Sequence, residues 1–202
     1  MMTPLPSSEA RIGADADDGV VLLRLARRAI ADFLTGIPAN SAGGDNDPPW
    51  LHEQGASFVT LTLGGKLRGC IGTLEAFRPL AADIRGNAIG AAVRDPRFPP
   101  LTADDLEETL IEVSVLSPVE AIAFDTEEEA LAALRPGVDG VVFECGRHRA
   151  TYLPQVWSQL PDPRAFLGQL KAQPGLPENF SGNGIRLGRY SVTSFHEKRG
   201  HS

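Results

Sequence analysis

Hydrophobic residues recur at helical spacing in several stretches, each bounded by residues that favour helix ends. The first predicted helix starts at Val20 and stops before Gly36. Its expected inward face consists of Leu22, Leu25, Ala26, Ala29 and Phe33. Further helices are predicted to begin at Pro79, Thr102, Thr126 and Asp162. Residues 1–18, ahead of this pattern, are polar and small, and we expect them to form a disordered tail.

Alternating β-forming residues predict a hairpin at 57–72, in which SFVTLTL and KLRGCIG flank a Gly-Gly turn. A two-residue turn fixes a register in which Leu61 opposes Arg68 and Val59 opposes Cys70. Arg68 and Cys70 then share one face of the returning strand, ~7 Å apart.

Three more stretches alternate in the same way. They are TLIEVSVLSP at 109–118, a second hairpin at 139–153, and IRLGRYSVTSF at 185–195, which is the last alternating stretch and closes the fold. Helices and hairpins are mixed, and strictly repeated strand–helix–strand units are missing. The pattern therefore predicts an α+β fold of mainly antiparallel sheet with flanking helices.

Composition adds limits on function. The 202 residues, 42% hydrophobic and 22% charged, are typical of a globular chain with one domain or two small ones. A net charge of −7 disfavours coating of nucleic acid or docking on anionic lipid. The chain start lacks the features of a signal peptide, and no apolar run reaches the ~20 residues of a membrane helix. We expect a cytoplasmic protein.

Cofactor chemistry has no clear signature in the sequence. The two cysteines, Cys70 and Cys145, lack CxxC or CxxH spacing, so neither a disulfide framework nor a structural zinc site is predicted. No nucleotide-binding glycine motif or convincing pair of metal ligands is present. We therefore predict no cofactor and no metal.

Four segments in order carry a family resemblance: LRGCIGTLE (67–75), AAVRDPRFPPLTADDLEETLIEVSVLSP (91–118), RPGVDGVVFE (135–144) and TYLPQVW (151–157). Together they resemble the AMMECR-one domain family, whose prokaryotic members are called AmmeMemoRadiSam system protein A. The similarity implies a single domain over 19–198, with two interleaved subdomains and a cleft between them that collects the signature residues. It also implies a Memo-like protein and a radical S-adenosylmethionine protein as partners, but no agreed reaction.

The resemblance carries a set of signature residues onto this chain. They are Arg68, Gly69, Cys70, Gly72, Asp95, Arg97, Glu112, Ser114 and the run Pro154-Gln155-Val156-Trp157. The C-terminal part departs from the family pattern: Lys171 stands at the usual cysteine, Gln173 at the usual lysine, and Phe180 near the usual tryptophan. A role that needs the family lysine is in doubt here, although Lys171 is close enough to substitute in part.

Cys70 has two interpretations. It is either a thiolate stabilised by Arg68 and by backbone N–H groups of the glycine-rich turn, or a small apolar residue on a crowded strand. Gly69 and Gly72 beside it indicate a bulge, a close backbone approach or room for a ligand. A nucleophilic cysteine needs a base nearby, and no histidine falls in the motif. His196 and His201 lie at an end of the chain that we expect to be frayed.

Three arginines in an acidic chain, Arg68, Arg97 and Arg149, are candidates for binding a carboxylate or phosphate. The alternative is internal pairing, for example of Arg97 with Asp95 or of Arg68 with Glu112.

The other candidates have similar pairs of interpretations. Glu112 and Ser114 share a strand face and either act on a substrate or satisfy neighbouring groups. Gln155 could supply a polar contact, and Trp157 either walls a pocket or packs in the core. Cys145, opposite His148 in the second hairpin, is interpreted as incidental.

The first functional hypothesis is an enzyme or enzyme component acting on a small anionic substrate. Cys70 is then the nucleophile or redox thiol, Arg68 holds the anion, and Glu112 and Ser114 orient the substrate. The alternative is a ligand-binding or adaptor module without catalysis. A nucleic-acid binder comes third because of the charge.

Overall fold

A computed structural model describes residues 16–37 and 47–198. The chain divides into two compact units, one made of the residues up to Val115 and from Thr193 onward, the other of Leu116–Val192. Of the tail expected over 1–18, residues 1–15 lie outside the described residues, whereas Ala16, Asp17 and Asp18 belong to the first helix.

The described residues contain five α-helices and eight strands. In chain order these are α1 (Ala16–Leu34), β1 (Ala56–Leu63), β2 (Lys66–Gly72), α2 (Leu80–Val93), α3 (Ala103–Glu108), β3 (Thr109–Leu116), β4 (Glu120–Ile122), α4 (Glu127–Ala133), β5 (Gly140–Cys145), β6 (His148–Tyr152), α5 (Pro163–Ala172), β7 (Ile185–Tyr190) and β8 (Val192–His196). Short 3-10 helices span Pro49–His52 and Pro154–Ser158. Among the described residues, no helix combines the length and hydropathy needed to cross a bilayer.

The strands form two four-stranded antiparallel sheets, with orders β2-β1-β3-β8 and β4-β7-β5-β6. The α+β class predicted from the sequence is therefore confirmed. The alternating stretch at 185–195 forms two strands, because the chain leaves the second sheet after Tyr190 and enters the first at Val192. At the break, the backbone N–H of Ser117 donates to Ser191 O over 2.9 Å.

Helix α1 packs against α2 in the core of the first unit, through a face slightly different from the one predicted. Leu22, Ala26 and Ile30 are fully buried, whereas Phe33, expected to point inward, is 45% exposed. Ile30 takes the inward position because it lies four residues after Ala26, on the same side of the helix. The inward face of α2 agrees with the prediction: Leu80, Ile84, Ala88 and Ala91 are all buried.

A buried polar group fastens α2 to β1. Asp83 accepts hydrogen bonds from the Ser57 N–H (2.8 Å), the Ser57 hydroxyl (2.6 Å) and Arg78 Nε (2.8 Å). Asn87 Nδ2 donates to Ser57 O over 2.9 Å. These bonds satisfy polar groups that burial would otherwise leave without water, and they fix the helix along the strand.

Turns and helix caps follow the predicted sequence signals. Gly64 and Gly65 adopt φ values of 59° and 78°, as a two-residue hairpin turn of this type requires. Thr102 and Thr126 both form capping boxes at the starts of α3 and α4.

The second unit has its own core. The Trp157 and Phe166 rings stack 3.7 Å apart, and Trp157 Nε1 donates to Asp139 O over 2.7 Å. Lys171 is buried and donates from Nζ to Glu127 Oε2 over 2.8 Å. Its charge therefore serves an internal ion pair.

Candidate functional site

Strand β2, which carries Arg68 and Cys70, contains a bulge that the predicted register lacks. Cys70 pairs with Thr60, Leu61 pairs with Gly69, and Thr62 pairs with Leu67. Arg68 is therefore the extra residue between two paired positions. The predicted pairs Leu61–Arg68 and Val59–Cys70 are wrong by one residue.

The two glycines that flank Cys70 have packing roles. A Cβ on Gly69 would overlap the backbone carbonyl of Ala91, so α2 approaches the strand backbone directly. A Cβ on Gly72 would overlap the ring of Phe58. Both positions need glycine for space within the first unit, independently of any ligand.

Cys70 is half-buried, and polar groups surround it. Its Sγ accepts a hydrogen bond from the Thr60 hydroxyl over 3.3 Å. Its backbone N–H donates to Asp95 Oδ2 over 2.9 Å, and its carbonyl accepts from Arg97 Nη2 over 3.4 Å. Both backbone polar groups of Cys70, its N–H and its carbonyl, are therefore hydrogen-bonded, to Asp95 and Arg97 respectively.

Asp95 and Arg97 form a tight ion pair at the edge of the first sheet. Asp95 is buried and accepts from Arg97 Nε (2.9 Å), Arg97 Nη2 (2.7 Å) and the Arg97 N–H (3.1 Å). The hydrogen bonds from the Arg97 guanidinium, aided by the Cys70 N–H, hold the pKa of the Asp95 carboxyl well below its usual range. Because β2 is an edge strand of its sheet, this pair occupies backbone groups that no other strand within residues 16–37 and 47–198 covers.

Arg68 differs from the other arginines because its Nη1 is buried and has no hydrogen-bond partner among the described residues. It is not paired with Glu112, which binds other groups. The pKa of Asp105 is lowered, first by hydrogen bonds from Thr102 and to a smaller degree by the charge of Arg68. Arg68 therefore lies near the start of α3 with at least one donor unused.

Glu112 belongs to a chain of polar side chains on β3 and β8. Ser114 Oγ donates to Glu112 Oε1 over 3.1 Å, and Ser114 and Ser194 hydroxyls lie 2.7 Å apart. His196 Nδ1 lies 3.2 Å from Glu112 Oε2. Ser194 and His196 were missed by the sequence reasoning, although they alternate with Phe195, whose side chain packs on the first core. His201 lies outside the described residues.

The remaining candidates belong to the second unit. Arg149 Nε lies 3.1 Å from Glu144 Oε1, Gln155 is exposed, and Trp157 is buried in the core. Cys145 pairs with His148 across the hairpin, as the turn predicted. The other candidates all belong to the first unit: Arg68, Gly69, Cys70, Gly72, Arg97, Glu112 and Ser114.

Within residues 16–37 and 47–198, no group of three or more histidine, cysteine, aspartate or glutamate side chains is placed to hold a metal ion.

Known proteins resemble this chain over most of its length. The family model AMMECR1 matches residues 23–195. A protein of Methanothermobacter thermautotrophicus is 37% identical over 183 residues, covering 90% of this chain and 95% of its own. Protein MJ0810 of Methanocaldococcus jannaschii is 34% identical, covering 90% of each chain.

A solved structure shows the same fold. The crystal structure of uncharacterized protein PH0010 from Pyrococcus horikoshii superposes with a TM-score of 0.72 at 34% identity. The match covers 89% of this chain and 91% of the other.

Proposed function

Since the chain belongs to the AMMECR1 family, we propose that the signature residues of its first unit bind a small anionic ligand at Arg68, beside Cys70. The unused, buried Nη1 of Arg68 carries this proposal. Burying a guanidinium N–H without an acceptor costs about 1–3 kcal/mol, and a carboxylate or phosphate oxygen of a ligand would remove that cost.

The guanidinium of Arg68 and the ion pair beside Cys70 both support an anion rather than a neutral ligand. The guanidinium fork of arginine suits the paired oxygens of carboxylate and phosphate groups. Arg97 neutralises Asp95, the carboxylate that also binds the Cys70 N–H. The anion at Arg68 therefore meets less repulsion than the overall charge of −7 suggests.

An anion-binding assay tests the proposal directly. Inorganic phosphate, sulfate and succinate should raise the unfolding temperature of the wild-type chain, by an amount equivalent to about 1.4 kcal/mol at ten times Kd. Arg68→Gln should lose this stabilisation. The matched control is Arg147→Gln, which removes the same charge from an exposed hairpin turn in the second unit. Equal stabilisation of wild type and Arg68→Gln would show that the anion binds elsewhere.

For an enzymatic role, Cys70 is the group that we propose to react. Alkylation by iodoacetamide measures this, because the thiolate forms the S–C bond as iodide leaves. The half-buried Cys145 serves as an internal reference. Cys70 should react faster than Cys145 in the folded chain, and phosphate should slow it. A Cys70 that reacts only after unfolding would rule out thiol chemistry but leave anion binding intact.

Protein docking is the second candidate, favoured by the loop between β2 and α2. This loop leaves Phe77 63% and Leu74 42% exposed, and Arg78 stacks on the Phe77 ring at 5.2 Å. Exposed aromatic residues on an ordered loop are common anchors of protein interfaces. The partners implied by the family resemblance are a Memo-like protein and a radical S-adenosylmethionine protein.

Co-purification tests the docking candidate. The wild-type chain should retain at least one of these two proteins when they are co-expressed, and Phe77→Ser should lose it. Val138→Ser is the control, because Val138 is also an exposed apolar side chain, at 50%, but lies in the second unit. Failure of the wild type to retain either protein would refute this candidate.

A further inference from the structure

The hydrogen bonds around Glu112 run in one direction. An ionised carboxylate only accepts hydrogen bonds, so the Ser114 hydroxyl must donate its proton to Oε1. Ser114 then has only lone pairs left for Ser194, whose hydroxyl must be the donor in their 2.7 Å contact. His196 Nδ1 lies 3.2 Å from Oε2, so a proton on Nδ1 would face this carboxylate.

A carboxylate at this distance favours the tautomer of His196 that carries its proton on Nδ1. When the imidazole is neutral, a proton on Nδ1 leaves the lone pair on Nε2. Within the described residues no hydrogen bond or ion pair engages Nε2, and the His196 side chain is 62% exposed. A carboxylate on Nδ1 that leaves Nε2 open is the arrangement by which proteins orient histidine as a base.

We propose that His196, positioned by Glu112, is a proton acceptor on the first unit, with Nε2 open to the O–H of water or of a hydroxyl-bearing ligand. Ser114 and Ser194 hold the Glu112 carboxylate in place. Glu112 is then a positioning residue for His196. The position of His196 near the end of the chain had suggested a frayed segment and no such role.

His196 is not the base for Cys70. In the sheet order β2-β1-β3-β8, the two residues lie on strands three positions apart. At a strand spacing of about 4.8 Å, the two strands are separated by ~14 Å, far beyond hydrogen-bond reach. The proposal is therefore independent of the Arg68 ligand and of any thiol chemistry.

The tautomer of His196 provides the test, measured by long-range proton–nitrogen NMR on the ligand-free full chain at a pH where the rings are neutral. His196 should carry its proton on Nδ1, and Glu112→Ala should shift it toward Nε2. His148 is the internal control, because its Nδ1 lies 3.1 Å from Pro174 O and does not involve Glu112. Ser114→Ala, which keeps the carboxylate, should leave His196 on Nδ1.

Diethyl pyrocarbonate gives a second measurement. The Nε2 lone pair attacks its carbonyl carbon, and the displaced group leaves as carbon dioxide and ethanol. His196 should be acylated severalfold faster than the exposed His52, and Glu112→Ala should remove that advantage. A wild-type His196 protonated on Nε2, or a tautomer unchanged in Glu112→Ala with His148 intact, would overturn the proposal.

Discussion

The buried carboxylate of Asp95 joins a charged side chain to the backbone of the edge strand β2. It binds the guanidinium of Arg97 and the backbone N–H of Cys70, and these bonds favour its charged form. A carboxyl whose pKa is lower in the folded chain stabilises it above the unfolded pKa of about 3.9, and loses that contribution as the pH falls. The edge of the first sheet is therefore acid-sensitive.

The first prediction concerns Asp95→Asn. The wild type should exceed this variant in unfolding free energy by more at pH 7 than at pH 3. At pH 3 the Asp95 carboxylate of the unfolded chain takes up a proton, whereas the folded carboxylate, whose pKa is lower, stays ionised, and this difference reduces its contribution to stability. Urea unfolding at both pH values measures the difference. A gap between the two proteins that is the same at pH 3 and pH 7 would mean that the carboxylate charge contributes nothing there.

The second prediction contrasts two arginines of the first unit. Arg68→Met should leave the ligand-free chain as stable as wild type or slightly more stable, since it removes an unpartnered buried donor. Arg27→Met should cost at least about 1 kcal/mol, because Arg27 binds Glu197 and the carbonyls of Leu106 and Thr109. Urea unfolding without added anions compares them. A large loss in Arg68→Met would show that Arg68 is structural.

At the scale of elements, Gly69 explains why β2 and α2 belong together. The strand backbone at Gly69 meets the carbonyl of Ala91. The Ile71 side chain lies against Gly90 of the same helix, with its Cγ2 3.2 Å from the place that a Cβ on Gly90 would occupy. At Gly69 the helix therefore rests directly on the strand backbone, which fixes the segment that carries Cys70.

The third prediction follows from this contact. Gly69→Ala should destabilise the chain by about 1–3 kcal/mol, the usual cost of overpacking a core. The same substitution at Gly168, inside α5, should be neutral or stabilising by up to about 1 kcal/mol, since its Cβ would make only ordinary contacts, at 3.4 Å. Thermal unfolding of both variants and of the wild type measures these changes in stability. A Gly69→Ala chain as stable as Gly168→Ala would contradict the close approach.

Local signals in the sequence predicted local structure well. The Gly64-Gly65 turn, the boxes at Thr102 and Thr126 and the start at Asp162 depend on neighbours within four residues, and each is confirmed. A bulge was one of the explanations that Gly69 and Gly72 indicated, but the predicted register did not include it, because one extra residue leaves the alternation on both sides looking regular.

Features set by distant residues could not be predicted. Alternation does not tell which sheet a strand joins, so the change of sheet at Ser191 left no signal. The contact of Glu112 with His196 requires β3 and β8 to be neighbours, which only the folded sheet provides. The sequence therefore named Glu112 and Arg68 as candidates, but it predicted neither the contacts of Glu112 with Ser194 and His196 nor the unpartnered donor of Arg68.

At the scale of the whole molecule, the chain order makes the two units unequal. The second unit is continuous over Leu116–Val192 and contains a complete sheet and core. The first unit needs residues from both sides of that segment, because β8 supplies Phe195 to its core and Glu197 accepts from the Ile111 N–H over 2.9 Å. Only the second unit can therefore fold from one continuous fragment.

The fourth prediction uses the two tryptophans, one in each unit. A fragment of residues 116–192 should show blue-shifted Trp157 emission and a cooperative urea transition, because the stack with Phe166 lies wholly inside it. A fragment of residues 1–115 should show red-shifted Trp50 emission, because it lacks β8 and leaves Arg27 without Glu197. If the first fragment were red-shifted without urea, the core of the second unit would not be self-sufficient, and the division of the chain into units would not correspond to folding units.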